Sequence, residues 1–115
     1  MIEVIIAMQL STSQLDKINM QENRAHVAGS VWLGPDRDAD YTWDCENYAD
    51  AKRQRLIREG ANPSDVKLHR VIDETGVSHM ITVYKDRVLD NRFVRTESVE
   101  SMKRYGYQFQ EEIDQ

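Results

Sequence analysis

The hydrophobic pattern changes character at Gly60. Before it, Cys45, Tyr48, Ala49, Lys52 and Leu56 fall on one face at helical spacing, and the face is small and apolar near the cysteine. After it come three extended stretches, 66–72, 77–84 and 87–93, with Asp73-Glu74-Thr75-Gly76 as the first turn. Helices followed by closely linked strands can bury their apolar faces in few ways. The expected class is α+β, with N-terminal helices packed on a small antiparallel sheet.

The boundaries carry their own signals. Asp44 is a good N-cap for a helix over 44–59, and Gly60 is its natural stop. Leu15, Ile18 and Ala25, with Met8 and Leu10 before them, fit an earlier helix that Ser11, Thr12 or Ser13 caps. The segment 29–41 reads as loop, and Asn62-Pro63-Ser64 as a turn. Residues 96–105 suggest a short helix and 106–109 an extended segment. In 115 residues without repeats or a Pro/Gly/Ser-rich linker, one domain spanning 1–115 is expected.

Charge narrows the partners. A net charge of -5 argues against nucleic acid or an anionic membrane as the main one. No run approaches the roughly 18 apolar residues of a membrane span. The start, 1–8, is short, carries Glu3 and lacks a basic leader. The chain reads as cytoplasmic as written, or periplasmic if a signal has been removed. Its single cysteine cannot make an internal disulfide.

That cysteine has a telling position. A thiol attacks only as thiolate, and a helix N-terminus offers partial positive charge and free N–H groups that can hold an oxyanion. Cys45 follows the cap directly. Asp44 opposes its ionisation, so a neighbouring imidazolium must outweigh it. Spacing supplies one. If the loop after the second strand is Lys85-Asp86, then Tyr84 pairs with Arg87, Val83 with Val88 and Ile81 with Asp90. His79 and Asp90 become diagonal neighbours, roughly 7–8 Å apart along the backbone. His26 and His69 are rival bases, but no hairpin gives either an acidic partner.

These residues also carry a resemblance. Trp43-Asp44-Cys45-Glu46-Asn47-Tyr48-Ala49, with Lys52 a turn later, resembles the Asp-Cys-Glu-Asp-Tyr/Phe-Ala segment of the bacterial transglutaminase-like cysteine peptidases. That family includes periplasmic proteases that release adhesins from the cell surface. Leu15 to Asn23 is similar to its upstream helix with spaced asparagines, Ser78-His79 to its Gly-His-Ala segment, and Val88-Leu89-Asp90-Asn91 to its Val-Leu-Asp-Asn segment. The resemblance spans about residues 15–109. It implies a papain/transglutaminase-like core, with Cys45 as nucleophile, His79 as base and Asp90 as the orienting acid. Asn47, Ser78 and Trp43 depart from residues usual in the family.

Some family members depend on calcium, and Asp44 and Glu46 match acids implicated there. Asp40, with Asp36 and Asp38, lies just upstream, and Ca²⁺ favours such oxygen donors. The alternation is no EF-hand, since Tyr41 takes its glycine position and Asn47 its bidentate acid position. Trp43 and Trp32 are candidate cleft residues. The basic run Lys52, Arg53, Arg55 and Arg58 reads as a solvated face.

The expected function is a thiol-dependent hydrolase cleaving a peptide or isopeptide bond through a Cys-His-Asp triad and a thioester. Its partner is a protein or peptide substrate, and the chemistry requires no cofactor, with calcium as a possible addition. The alternatives are acyl transfer to an amine at the same site, and a catalytically degenerate protein-binding module.

Overall fold

The computed structural model describes residues 9–25 and 44–113. Helix α1, Thr12–Ala25, opens with a reciprocal cap. Ser11 Oγ accepts from Gln14 N–H at 3.2 Å, and Ser11 N–H donates to Gln14 Oε1 at 2.8 Å. Helix α2, Cys45–Arg58, begins the same way, with Asp44 Oδ1 accepting from Asn47 N–H and Asn47 Oδ1 accepting from Asp44 N–H. Asn47 therefore completes a capping box, a use of that position that needs no acid.

A 3-10 turn at Pro63–Asp65 leads into the sheet. Its strands are β1, Val66–Ile72; β2, Ser78–Tyr84; β3, Arg87–Leu89; β4, Glu97–Ser98; and β5, Gln108–Ile113. A short helix α3, Val99–Tyr105, separates the last two. The spatial order is β4-β3-β2-β1-β5, and every pairing is antiparallel. The class is α+β.

Two cores lie on the two faces of the sheet. Leu15 and Ile18 of α1 and Leu56 of α2 pack with Val66, Tyr84 and Leu89. Val71, Ile81, Val83 and Val88 pack instead with Met102 of α3 and with Tyr107. Leu56 is wholly buried, so truncating it to Ala costs about 2–5 kcal/mol. Thr82 ties α2 to β2 by donating its hydroxyl to Ala49 O at 2.6 Å.

The third strand is shorter than its apolar pattern predicts. It ends at Leu89 rather than Phe93 because the next carbonyls are claimed elsewhere. Asn19 Nδ2 donates to the Phe93 and Val94 oxygens, and Asn23 Nδ2 to those of Asp90 and Phe93. Phe93 N–H closes a turn on Asp90 O. The chain then returns as β4, pairing Arg87 with Ser98 and Val88 with Glu97. Lys52 is a second correction: it is fully buried, not part of a solvated basic face.

Candidate active site

The hairpin register decides the site. Tyr84 pairs with Arg87, Val83 with Val88 and Thr82 with Leu89 across a two-residue turn that holds Lys85 at φ 56°. Asp90 follows β3 directly, and β3 has left β2 by that point. His79 and Met80 are therefore unpaired with β3, and Cys45, at the start of α2, packs against the cluster that includes Met80.

Three side chains meet there. His79 Nε2 and Asp90 Oδ1 are 2.7 Å apart, both buried. This leaves the other ring nitrogen, Nδ1, for the half-buried Cys45 thiol, whose ionisation the imidazole and the Met80 amide favour. Asp90 is further held by Arg92 N–H on Oδ1 at 2.9 Å and by the Tyr107 hydroxyl on Oδ2 at 2.5 Å. Arg92 Nη1 donates to the Tyr107 oxygen at 3.1 Å and is anchored by Asp73 and Glu74. A continuous line of polar contacts thus runs from His79 through Asp90 and Tyr107 to Arg92.

The electrostatics follow from these contacts. The His79 imidazole lowers the Cys45 thiol most, and the Met80 amide adds to this. Burial and the Asp44 charge oppose them and lose. Burial alone would depress His79, but Asp90 and the thiol outweigh it and raise the imidazole to about 9. Burial would raise Asp90, yet hydrogen bonds from His79 and Tyr107 keep its carboxyl below the ordinary value. The three shifts agree in direction with a thiolate–imidazolium pair backed by a carboxylate.

The other predicted residues are spread out. Asp44 is committed to the α2 cap, and Glu46 is exposed on the first turn. Asp40, Trp32, Trp43 and the rival His26 lie outside the described residues. His69 stacks edge-on against Phe109 of β5 and faces Glu112 at 3.9 Å, on the side of β1 away from β2. Among the described residues no three His, Cys, Asp or Glu side chains cluster to hold a metal ion. Ca²⁺ needs about 6–8 oxygens, so Asp44 and Glu46 alone do not make its site.

Sequence reasoning missed Tyr107, Arg92 and the clamping role of Asn19 and Asn23. The asparagines had a signal: with Leu15 they stand four apart, on a stripe that faces the core. Tyr107 had none, since its contact with Asp90 depends on where α3 and β5 are laid.

A family model for the bacterial transglutaminase-like cysteine proteinases (BTLCP) matches residues 5–115. The chain belongs to the bacterial transglutaminase-like cysteine proteinase family. Solved structures similar to this BTLCP chain include Legionella pneumophila LapG in a calcium-bound form, at TM-score 0.67 and 19% identity over 89% of this chain and 64% of LapG. LapG in an EGTA-treated form matches at TM-score 0.67 and 18% identity, over 89% of this chain and 62% of that one. The BTLCP chain thus spans under two thirds of the length of the LapG structures it matches. At that identity the likeness is one of fold. No curated protein sequence matches significantly.

Proposed function

We propose that this chain is a cysteine peptidase that cleaves a peptide or isopeptide bond through a thioester. Cys45 is the nucleophile, His79 the base and Asp90 the residue that orients the imidazole. The observation that carries this reading is the buried His79–Asp90 hydrogen bond at 2.7 Å, with Cys45 at the start of α2 and its ionisation favoured by that imidazole. Family membership supports it.

The chemistry follows from the geometry. Asp90 on Nε2 fixes the tautomer whose Nδ1 accepts the thiol proton. The thiolate attacks the carbonyl carbon, and the Cys45 N–H, among the free amides at the helix start, is placed to hold the oxyanion. The imidazolium then protonates the leaving amine as the C–N bond breaks. Water, deprotonated by His79, attacks the thioester carbonyl; the acid leaves and the thiol is restored.

The test is thiol reactivity together with cleavage. A thiol-reactive probe should label Cys45 near neutral pH faster than a free cysteine, and His79→Ala should slow both labelling and peptide cleavage by about 10²–10⁴-fold. Labelling no faster than a free thiol, and indifferent to His79→Ala, would leave a protein-binding module as the better account.

Calcium enters as a separate proposal. LapG has been solved in a calcium-bound form, and in the present chain Asp44 and Glu46 offer oxygen donors beside Cys45. If they bind Ca²⁺ together with residues upstream, millimolar calcium raises the melting temperature and EGTA reverses it. An unchanged melting temperature removes the metal.

A further inference from the structure

The face of the sheet away from α2 carries a cavity at the end of β2 opposite His79. Register sets two pairs on its walls, Lys67 with Val83 and His69 with Glu112. Val99 and Lys103 of α3, Phe109 of β5 and Lys85 of the hairpin turn complete the lining, around a volume of about 300 Å³. Val83 is four residues beyond His79 on β2, roughly 13 Å at about 3.3 Å per residue. The cavity is therefore distinct from the candidate active site. Its walls are tied to one another, since Val99 N–H donates to Asp86 O at 2.8 Å and Lys85 N–H to Asp65 O at 3.0 Å.

The floor is apolar and the rim is cationic. Val83 is buried, and Val99 and Phe109 are half-buried beside it. Lys67, Lys85 and Lys103 are exposed and come from three separate elements. Among the described residues none of the three pairs with a carboxylate. Lys85 and Lys103 instead lie over aromatic rings, their Nζ atoms 5.7 Å from the centre of Tyr84 and 5.8 Å from that of Phe109. The one acid in the lining, Glu112, faces His69 at 3.9 Å. A chain of net charge -5 thus gathers three cations without acidic partners around one concavity. The turn adds an independent observation. Lys85 holds φ 56° at the first position of a two-residue turn, where glycine or asparagine is the ordinary choice. The backbone gains nothing from a lysine there, so its reason lies in the side chain.

We infer that this cavity binds a small organic anion, with an apolar body against Val83, Val99 and Phe109 and a phosphate or carboxylate among Lys67, Lys85 and Lys103. Its volume is at the lower end of the roughly 300–1,000 Å³ of small-molecule sites, which suits one ring with one anionic group. Lysine is a flexible point charge that serves phosphate and carboxylate alike. Such binding leaves Cys45, His79 and Asp90 untouched, so the inference goes beyond the peptidase reading and does not rest on it.

The experiment titrates phenyl phosphate and benzoate into the full chain at low salt and follows backbone amides by NMR, with inorganic phosphate and benzyl alcohol as comparisons. At millimolar concentration one of the two aryl anions should shift the amides of Val83, Val99 and Phe109 and leave those of α2 in place. It should bind about tenfold more tightly than inorganic phosphate or benzyl alcohol, because each of those lacks one half of the ligand. Added salt should weaken it by screening the lysines. Lys67→Gln combined with Lys103→Gln should weaken it about tenfold, each exposed ion pair contributing a few-fold. Lys85→Asn is the sharper variant. Asparagine suits the positive φ, so the chain should melt at no lower temperature while binding weakens a few-fold. Cys45→Ala should bind as the wild type does. The inference is overturned if neither aryl anion shifts the cavity, if inorganic phosphate binds as tightly as they do, or if the lysine variants bind as the wild type does. It is equally overturned by an acidic peptide that shifts the cavity where phenyl phosphate and benzoate do not, which would make this face a protein-docking surface.

Discussion

Tyr107 gives its hydroxyl proton to Asp90 and accepts one from Arg92, so it stabilises the charged carboxylate at one remove from the thiol. Replacing it with Phe removes that donor and leaves Asp90 Oδ2 short of a partner in a buried site. We expect Tyr107→Phe to cost about 1–3 kcal/mol in urea denaturation. The less stabilised carboxylate should grip the imidazolium harder, so the His79 titration moves upward by NMR. An unchanged His79 titration would mean Tyr107 only fills space. Asp90→Asn is the sharper substitution, since it keeps the shape and loses the charge. Under the triad reading, alkylation of Cys45 near neutral pH slows and the thiol pKa rises. Equal rates in wild type and Asp90→Asn from pH 5 to 9 would remove Asp90 from that reading.

At the level of the element, the start of α2 joins a structural task to an electrostatic one. Asp44 caps the helix, and its charge also raises the Cys45 thiol. The two effects can be separated. Asn caps about as well as Asp, whereas Ala forfeits about 1 kcal/mol. Asp44→Asn should therefore lower the thiol pKa at unchanged stability, and Asp44→Ala should lower both, as read by pH-dependent alkylation and urea melts. Equal stability losses in the two variants would contradict this division. The end of α3 is equally specific. Gly106 sits at φ 124°, and a Cβ there would meet Glu74 Cβ at 3.0 Å. Gly106→Ala should destabilise by about 1–3 kcal/mol. It should also loosen Tyr107, the next residue.

Across the whole molecule, pH acts through groups whose ionisation changes on folding. Asp73 braces the β1–β2 turn, its Oδ1 accepting from the Thr75 hydroxyl and from the Thr75 and Val77 amides. The Thr75 hydroxyl first, and then these amides, bring its carboxyl down from 3.8 to about 2. Between those values the unfolded chain binds a proton that the folded chain refuses, so stability rises with pH there and is lost as pH falls through about 2. Urea midpoints from pH 2 to 5 should show that slope, and Asp73→Asn should flatten it. Near neutrality His79 rises while Cys45 falls. One proton moves between them, and the pair's total is unchanged. Lys52, lowered from 10.5 to about 7, is not so balanced. The unfolded chain holds more protons between those values, so stability should climb from pH 7 to 9, and Lys52→Met should abolish the climb.

What the order of residues dictates unaided is local. The Asp44 cap, the periodic face of α2, its end near Gly60 and the Lys85-Asp86 hairpin all depend on contacts a few residues apart. Backbone hydrogen bonding and alternation impose these without reference to the rest of the chain. That is why the proximity of His79 and Asp90 was legible as a spacing, and why the motif around Cys45 pointed to the family. Packing settles what depends on long-range competition. β3 stops at Leu89 because asparagines about 70 positions earlier take the carbonyls beyond it. Lys52 is buried once α2 packs against α1 and the sheet, although its charge alone would place it in solvent. Tyr107 reaches Asp90 because α3 crosses the sheet and delivers β5 to its far edge beside β1. A residue's type and its neighbours in sequence set its local conformation. Which distant groups compete for its hydrogen bonds and its burial is settled only when the layers come together.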